Sequence, residues 1–230
     1  MATLNAWGLP APVAADRRGR LPRIARWVEE RGYDLAGLQE LWHGALRLFD
    51  APGLTLPNQE HDSGLALVTP HPVVSQRTLT FEAERGFDAW KAKGVLVAEV
   101  DAGAPEPLVV GVTHLQAGGS ARAAAVRELQ VDELLAALPE GRPTVLMGDF
   151  NLYEGQPADQ ATHQRLVDAG FVDVGEDQGA VGGTYPGLPD RFDRIWVRAG
   201  SHCLVADRAA VVDPQLSDHL AVEADLTVGI

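Results

Sequence analysis

The sequence predicts an α/β fold in which two mixed β-sheets pack face to face with helices on the outside. Three observations lead there. Strand-like segments outnumber helical ones, helices are interspersed among them, and several neighbouring strand segments read as antiparallel pairs. The composition suits a packed core: of 230 residues, 46% are hydrophobic and 22% charged, ordinary values for a globular chain.

Taken in order, residues 3–9 read as a strand. A helix follows over 21–31, where Leu21, Ile24, Ala25 and Val28 recur at helical spacing and Gly32 stops it. The apolar run 35–38 ends at Gln39 and Glu40. Segments 64–69 and 73–79 are strands on either side of a Pro-His-Pro break. The β-branched segments 94–100 and 108–115, joined by the Gly/Pro loop 102–107, suggest a hairpin. Residues 121–138 give the clearest helical pattern, with Val126, Leu129, Leu134, Leu135 and Leu138 as an apolar stripe. A strand at 144–147 runs into Gly148-Asp149-Phe150-Asn151, and a helix at 158–169 ends at Gly170. Strands close the chain at 191–198, 203–212 and 219–228. No repeat or low-complexity stretch interrupts this order, and the Gly/Pro-rich patches 102–107 and 181–190 are short enough to be loops. One domain over 1–230 is therefore expected.

Nineteen Lys+Arg against 32 Asp+Glu leave a net charge of −13. That balance argues against holding nucleic acid by general phosphate neutralisation, although a local basic groove remains compatible with it. No stretch reaches the roughly 18 consecutive apolar residues of a spanning helix, so no stable membrane insertion is expected. The opening MATLNAWGLP has no basic segment leading into an apolar one. Cys203 is the single cysteine and makes neither an internal disulfide nor a cysteine zinc site. A cytoplasmic address is the expectation. Nothing points to an obligate protein partner.

Chemically capable residues recur at the ends of the predicted strands. Asn5 lies in an apolar strand, where asparagine marks a bulge, an edge or a ligand. Glu40 ends a buried run, a costly place for a carboxylate without a cation or partner; the other reading is an acid before a helix at 41–49. Two-residue spacing puts Asp149 and Asn151 on one face of an extended chain. There they either orient a water and hold a phosphoryl oxygen or form an Asx turn. His114 shares a face with Val112 and reads equally as a core histidine. Asp193 alternates with Ile195 and Val197, so it needs a partner, and His219 is the candidate, since a carboxylate-oriented histidine is a common acid–base device. Ser217-Asp218-His219 also reads as simple turn chemistry ahead of the last strand.

Together and in this order the residues are more specific than any one of them. Asn5 in LNAWGLP, LQE at 38–40, SGLALV at 63–68, THLQA at 113–117, GDFN at 148–151, FDRIWV at 192–197 and SDH at 217–219 span nearly the whole chain. The set resembles the endonuclease/exonuclease/phosphatase superfamily of metal-dependent phosphoesterases. The resemblance implies a four-layered α/β sandwich with the site at one edge of the sheets. It implies Mg²⁺, with Mn²⁺ as a substitute, held by Glu40 with Asn5 alongside and Asp218 near it. It assigns Asp149 to the attacking water, Asn151 to a phosphoryl oxygen, and His219 to the scissile phosphate with Asp193 orienting it. His114 is matched to the transition state or leaving group. No required position is substituted, which argues against a catalytically silent binding module that merely keeps the fold.

The substrate is left open between two branches. Residues 5–10, Lys93-Gly94 and THLQA are similar to neutral sphingomyelinases, whereas RFDRIWVR at 191–198 is similar to tyrosyl-DNA phosphodiesterases. A phosphodiester in a phospholipid head group or in nucleic acid is the implied partner. In the loop 84–94, Phe87 and Trp90 stand among Lys91 and Lys93. Trp90 and Lys93 are the candidate substrate contacts, for stacking a base, touching lipid or gripping phosphate; the other reading is two core aromatics beside a solvated turn. Arg17-Arg18-Gly19-Arg20 is the densest basic cluster, either a phosphate contact or a solvated face.

Overall fold

The computed structural model describes residues 1–42, 45–49, 63–86, 88, 91–180, 182–200 and 204–229. Phe87, Trp90 and Cys203 lie outside the described residues. In chain order the elements are β1 (Ala2–Asn5), α1 (Arg17–Arg31), β2 (Ala36–Gln39), a 3-10 helix (Ala45–Leu48), β3 (Ala66–Val68), β4 (Val73–Thr80), β5 (Gly94–Val100) and β6 (Leu108–His114). They continue with α2 (Ala121–Ala137), β7 (Thr144–Asp149), α3 (Pro157–Asp168), β8 (Val172–Asp173), α4 (Val174–Asp177), β9 (Asp193–Arg198), β10 (Leu204–Val212) and β11 (Ala221–Val228).

Alternation along the strands builds the layers. In β6, Leu108, Val110 and Val112 enter one core, and Val109 enters another. In β7, Val145 and Met147 join the first and Leu146 the second. The first core lies between two mixed sheets, ordered β10-β11-β1-β2-β3 and β4-β5-β6-β7-β9-β8. The second covers the outer face of the larger sheet with Val131 and Leu134 of α2 and Leu166 of α3. A third packs Leu21, Ile24, Ala25 and Val28 of α1 against Leu4, Ala36 and Leu38 on the outer face of the smaller sheet. The result is helix, sheet, sheet, helix, as the sequence predicts. Gly37 makes the inter-sheet approach possible, because a Cβ there would lie 2.5 Å from Met147 Sδ. No helix among the described residues is long and apolar enough to cross a membrane.

Several boundaries and one face differ from the sequence expectation. The first strand stops at Asn5 instead of residue 9, because Trp7 turns the chain with φ 47°. The first helix begins at Arg17, one turn earlier than residue 21. Glu40 has φ 56° and leads into non-helical residues 41–42, and among the described residues of 41–49 only Ala45–Leu48 coil, as 3-10. The stripe on α2 is also displaced. Leu129 is 55% exposed, while Arg127 and Gln130 are buried beside Val131 and Leu134. Polar groups occupy that face because α2 covers loops whose carbonyls need donors: Arg127 Nη1 bonds Gln116 O at 2.8 Å and Gly118 O at 2.9 Å.

Candidate active site

Strand register assembles the site. Parallel pairing of β6 with β7 sets His114 opposite Asp149, and antiparallel pairing of β7 with β9 sets Asp149 opposite Asp193. Directly paired residues project from the same face, so the three form one row at the end of the larger sheet. The smaller sheet supplies the groups that meet this row. Asn5, the last residue of β1, donates from Nδ2 to Asp149 Oδ2 at 3.0 Å. His219, just ahead of β11, has Nδ1 2.8 Å from Asp193 Oδ2 and Nε2 3.9 Å from Asp149 Oδ2. His114 Nε2 is 3.3 Å from the same Asp149 oxygen. All five side chains are buried. Thr184 Oγ1 anchors the start of β9 by accepting from Phe192 N at 2.9 Å and Asp193 N at 3.0 Å.

Burial and charge separate the titrating groups. Burial, with Asp193 beside it, holds the Asp149 carboxyl above the ordinary carboxylate range. Burial also drives His114 well below the usual imidazole value, reinforced by the positive charges of Lys93, Lys91 and His219. His219 goes the other way. Burial opposes its charge, but Asp193, by attraction and hydrogen bond, and Asp149 together raise it to about 10. One histidine is therefore neutral and the other an imidazolium at neutral pH.

Glu40 lies in the turn after β2, where its charge acts on Asp218 and Lys93. The chain there is pinned closely: a Cβ on Gly8 would lie 2.0 Å from Glu40 O, and Arg17 bonds both Gly8 O (2.7 Å) and Trp42 O (2.8 Å). Glu40 Oε2 is buried and has no hydrogen-bond partner among the described residues. Its Oε1 lies 3.7 Å from Lys91 Nζ. Burial, together with the nearby Glu40 charge, raises the Asp218 carboxyl. A buried carboxylate with an unmet oxygen, within reach of a second carboxylate's charge, fits a hard divalent cation. The Asn5 side-chain carbonyl oxygen accepts from Trp7 N at 2.9 Å and keeps a second lone pair. Ligand atoms of Asp149, Asp193 and His219 also lie within 4.8 Å of one another. There Asp193 and His219 already bond each other and Asp149 takes the Asn5 amide.

The remaining predicted residues are close by but differently engaged. Asn151, with φ 52°, donates from Nδ2 to Leu115 O at 3.3 Å, and its N–H bonds Asp149 Oδ1 at 3.0 Å. Lys93 is buried, with its ammonium turned to Leu115 O and to Asp88 Oδ2, 3.4 Å away. Burial lowers it to about 8 even with Asp88 and Asp149 supporting its charge. Asp88 belongs to none of the matched motifs, yet it ties Lys91 and Lys93 to residues 116–117. It accepts from Ala117 N at 2.7 Å and Gln116 Nε2 at 2.9 Å, and it lies 3.3 Å from Lys91. Its one signal in the sequence is its place between the two aromatics Phe87 and Trp90.

Residues 2–219 match the model of the Endonuclease/Exonuclease/phosphatase family. A Caenorhabditis elegans protein named "Putative neutral sphingomyelinase" is 35% identical over 89 residues, which span 34% of this chain and 20% of that protein. The fold of sphingomyelinase C from Streptomyces griseocarneus is similar, with a TM-score of 0.76 at 20% identity over 100% of this chain and 98% of that one. Humanized TDP2 of D. rerio is similar as well, with a TM-score of 0.74 at 17% identity over 98% and 97% of the two chains.

Proposed function

The chain belongs to the endonuclease/exonuclease/phosphatase family of phosphoric ester hydrolases, and from that premise we propose that it hydrolyses a phosphodiester by in-line attack of water. The observation that carries this reading is the row His114–Asp149–Asp193 met from the other sheet by Asn5 and His219; the unmet Glu40 oxygen adds a candidate cation donor. Mg²⁺ held by Glu40, Asn5 and Asp218, or Mn²⁺ in its place, would supply neutralisation of the phosphodiester charge.

The protein's own groups do the rest. Asp149 takes the proton of the attacking water. Its raised carboxyl moves toward the value of a working base, and the Asn5 amide fixes its direction. His219, charged and aimed by Asp193, spreads the charge that grows on the equatorial phosphoryl oxygens. His114, kept neutral by burial, serves the transition state beside Asp149, and the Asn151 amide positions a phosphoryl oxygen. Lys93 adds a positive charge that acts on Asp149.

For the substrate we favour a phospholipid head group over nucleic acid. The local identity with the neutral sphingomyelinase relative supports it, and a net charge of −13 opposes general binding of a polyanion. The test is a hydrolysis panel in Mg²⁺, Mn²⁺ and EDTA. It compares bis-p-nitrophenyl phosphate, sphingomyelin vesicles, single- and double-stranded DNA and a 5′-tyrosyl oligonucleotide. Metal-dependent release from sphingomyelin above the DNA substrates is expected. Turnover of the tyrosyl oligonucleotide alone would reverse the substrate choice, and no hydrolysis of any substrate would end the phosphodiesterase reading.

A further inference from the structure

Arg20 stands outside the row of polar side chains and in no motif of the site. It belongs to the run Arg17-Arg18-Gly19-Arg20, yet it is 5% exposed. Its guanidinium is committed to backbone carbonyls. Nη1 donates to Ala6 O and, at 3.2 Å, to Leu216 O; Nη2 donates to Trp7 O at 2.6 Å, and Nε to Ala15 O at 3.3 Å. The same group lies over the Trp7 ring, 4.8 Å from its centroid.

These carbonyls flank the site. Ala6 and Trp7 follow Asn5, and Leu216 precedes Ser217-Asp218-His219. The two segments are joined directly, since Ser217 Oγ donates to Asn5 O at 2.6 Å. Trp7 has φ 47°, a left-handed turn that a bulky residue adopts only when its surroundings impose it. That turn brings Trp7 N to Asn5 Oδ1 at 2.9 Å and leaves Asn5 Nδ2 on Asp149 at 3.0 Å. Burying an arginine is costly unless its donors are met, and here four carbonyls meet them.

We propose that Arg20 is a positioning residue: it clamps the turn after Asn5 to the turn before Asp218, and through them sets the Asn5 amide and the Asp218 carboxylate for a divalent cation and a phosphodiester. The proposal deepens the phosphodiesterase reading and rests on it. A planar fork with five N–H groups spans these carbonyls; a lysine ammonium, with three donors on one atom, does not.

The experiment compares wild type with Arg20→Met, Arg20→Lys, Asn5→Ala and the Asn5→Ala/Arg20→Met pair. Mn²⁺ binding to substrate-free protein is read by electron paramagnetic resonance, and bis-p-nitrophenyl phosphate kinetics are read alongside. Both Arg20 variants should bind Mn²⁺ about 10-fold to 100-fold more weakly. Each should also lose on the order of 100-fold in kcat, with KM within about threefold. Because Arg20 acts in part through Asn5, the double variant should lose clearly less than the two single losses combined. Wild-type Mn²⁺ affinity in Arg20→Met, full rescue by Arg20→Lys, or additive losses in the double variant would each overturn the proposal. Loss of a cooperative thermal transition in both Arg20 variants would also overturn it, by assigning Arg20 to the fold instead of the site. If wild type itself is inactive, the functional reading fails, while the Mn²⁺ comparison still decides the role of Arg20.

Discussion

His219 Nδ1 lies 2.8 Å from Asp193 Oδ2, a contact that joins the turn before β11 of one sheet to the first residue of β9 in the other. Asp193 sits on a face shared with Ile195 and Val197 in the inter-sheet core, where an unpaired carboxylate is expensive. The contact relieves that cost and fixes the ring.

The first prediction treats the two as a unit. Asp193→Ala and His219→Ala should each lower kcat by roughly 10²-fold to 10⁴-fold. The double variant should lose little more than the worse single one. Steady-state kinetics on all three decides it, and strictly additive losses would separate the residues.

A pH dependence follows from the same pair. His219 is raised from 6.5 to about 10. A group raised on folding stabilises fully below its unfolded value, and the contribution fades as pH climbs through the folded one. His219→Gln should therefore lower the melting temperature most at and below pH 6.5, and the gap to wild type should close by about pH 10. Thermal unfolding across that window checks it; a gap independent of pH would contradict the pairing.

Glu40→Gln should weaken Mg²⁺ binding by about 10-fold to 100-fold and lower activity in proportion. In EDTA its melting temperature should equal or exceed that of wild type. The variant removes a buried charge whose Oε2 has no partner among the described residues and which opposes Asp218. Titration calorimetry and thermal unfolding together test both halves.

Asp149→Asn should cost about 10³-fold in kcat and leave KM within a few-fold. The amide oxygen can still accept from Asn5 Nδ2, so the row keeps its shape, but no group takes the proton from water. Retention of most of kcat would reduce Asp149 to a turn residue.

Stability should depend on a pair outside the row of site side chains. Arg127 and Asp159 are fully buried and bonded twice, at 2.8 and 2.7 Å, and Asp159 also accepts from Tyr153 N. Asp159→Ala strands the guanidinium between α2 and α3 and should cost about 3–5 kcal/mol in urea unfolding. Replacing both residues with apolar ones of similar volume should cost less.

The layers were legible because their cause is local. A β-branched, largely apolar run places 94–100 as a strand, and the structure has β5 at the same residues. Boundaries failed where a polar contact outweighed pattern. Residues 148–149 remain in β7 because they pair with β9. The last strand begins at Ala221 instead of residue 219, because the His219 N–H goes to Ser217 Oγ at 3.2 Å, a turn contact, and the Leu220 N–H to Thr184 O at 2.7 Å.

The order of polar residues along the chain determined the family and named the side chains worth weighing, because a strand end is recognisable from its own neighbours. Their partners were decided only by the tertiary structure. Asn5 and Asp149 are 144 residues apart and meet only because two sheets close on each other. Three arginines in one run show the same division. Arg18 is exposed, Arg17 bonds Gly8 and Trp42, and Arg20 is buried on four carbonyls. Helical spacing puts residues 17 and 20 on one side and 18 on another. Which side meets carbonyls and which meets water depends on how the turns after β1 and β2, and Leu216 from the far end of the chain, fold against the helix, and no local pattern encodes that.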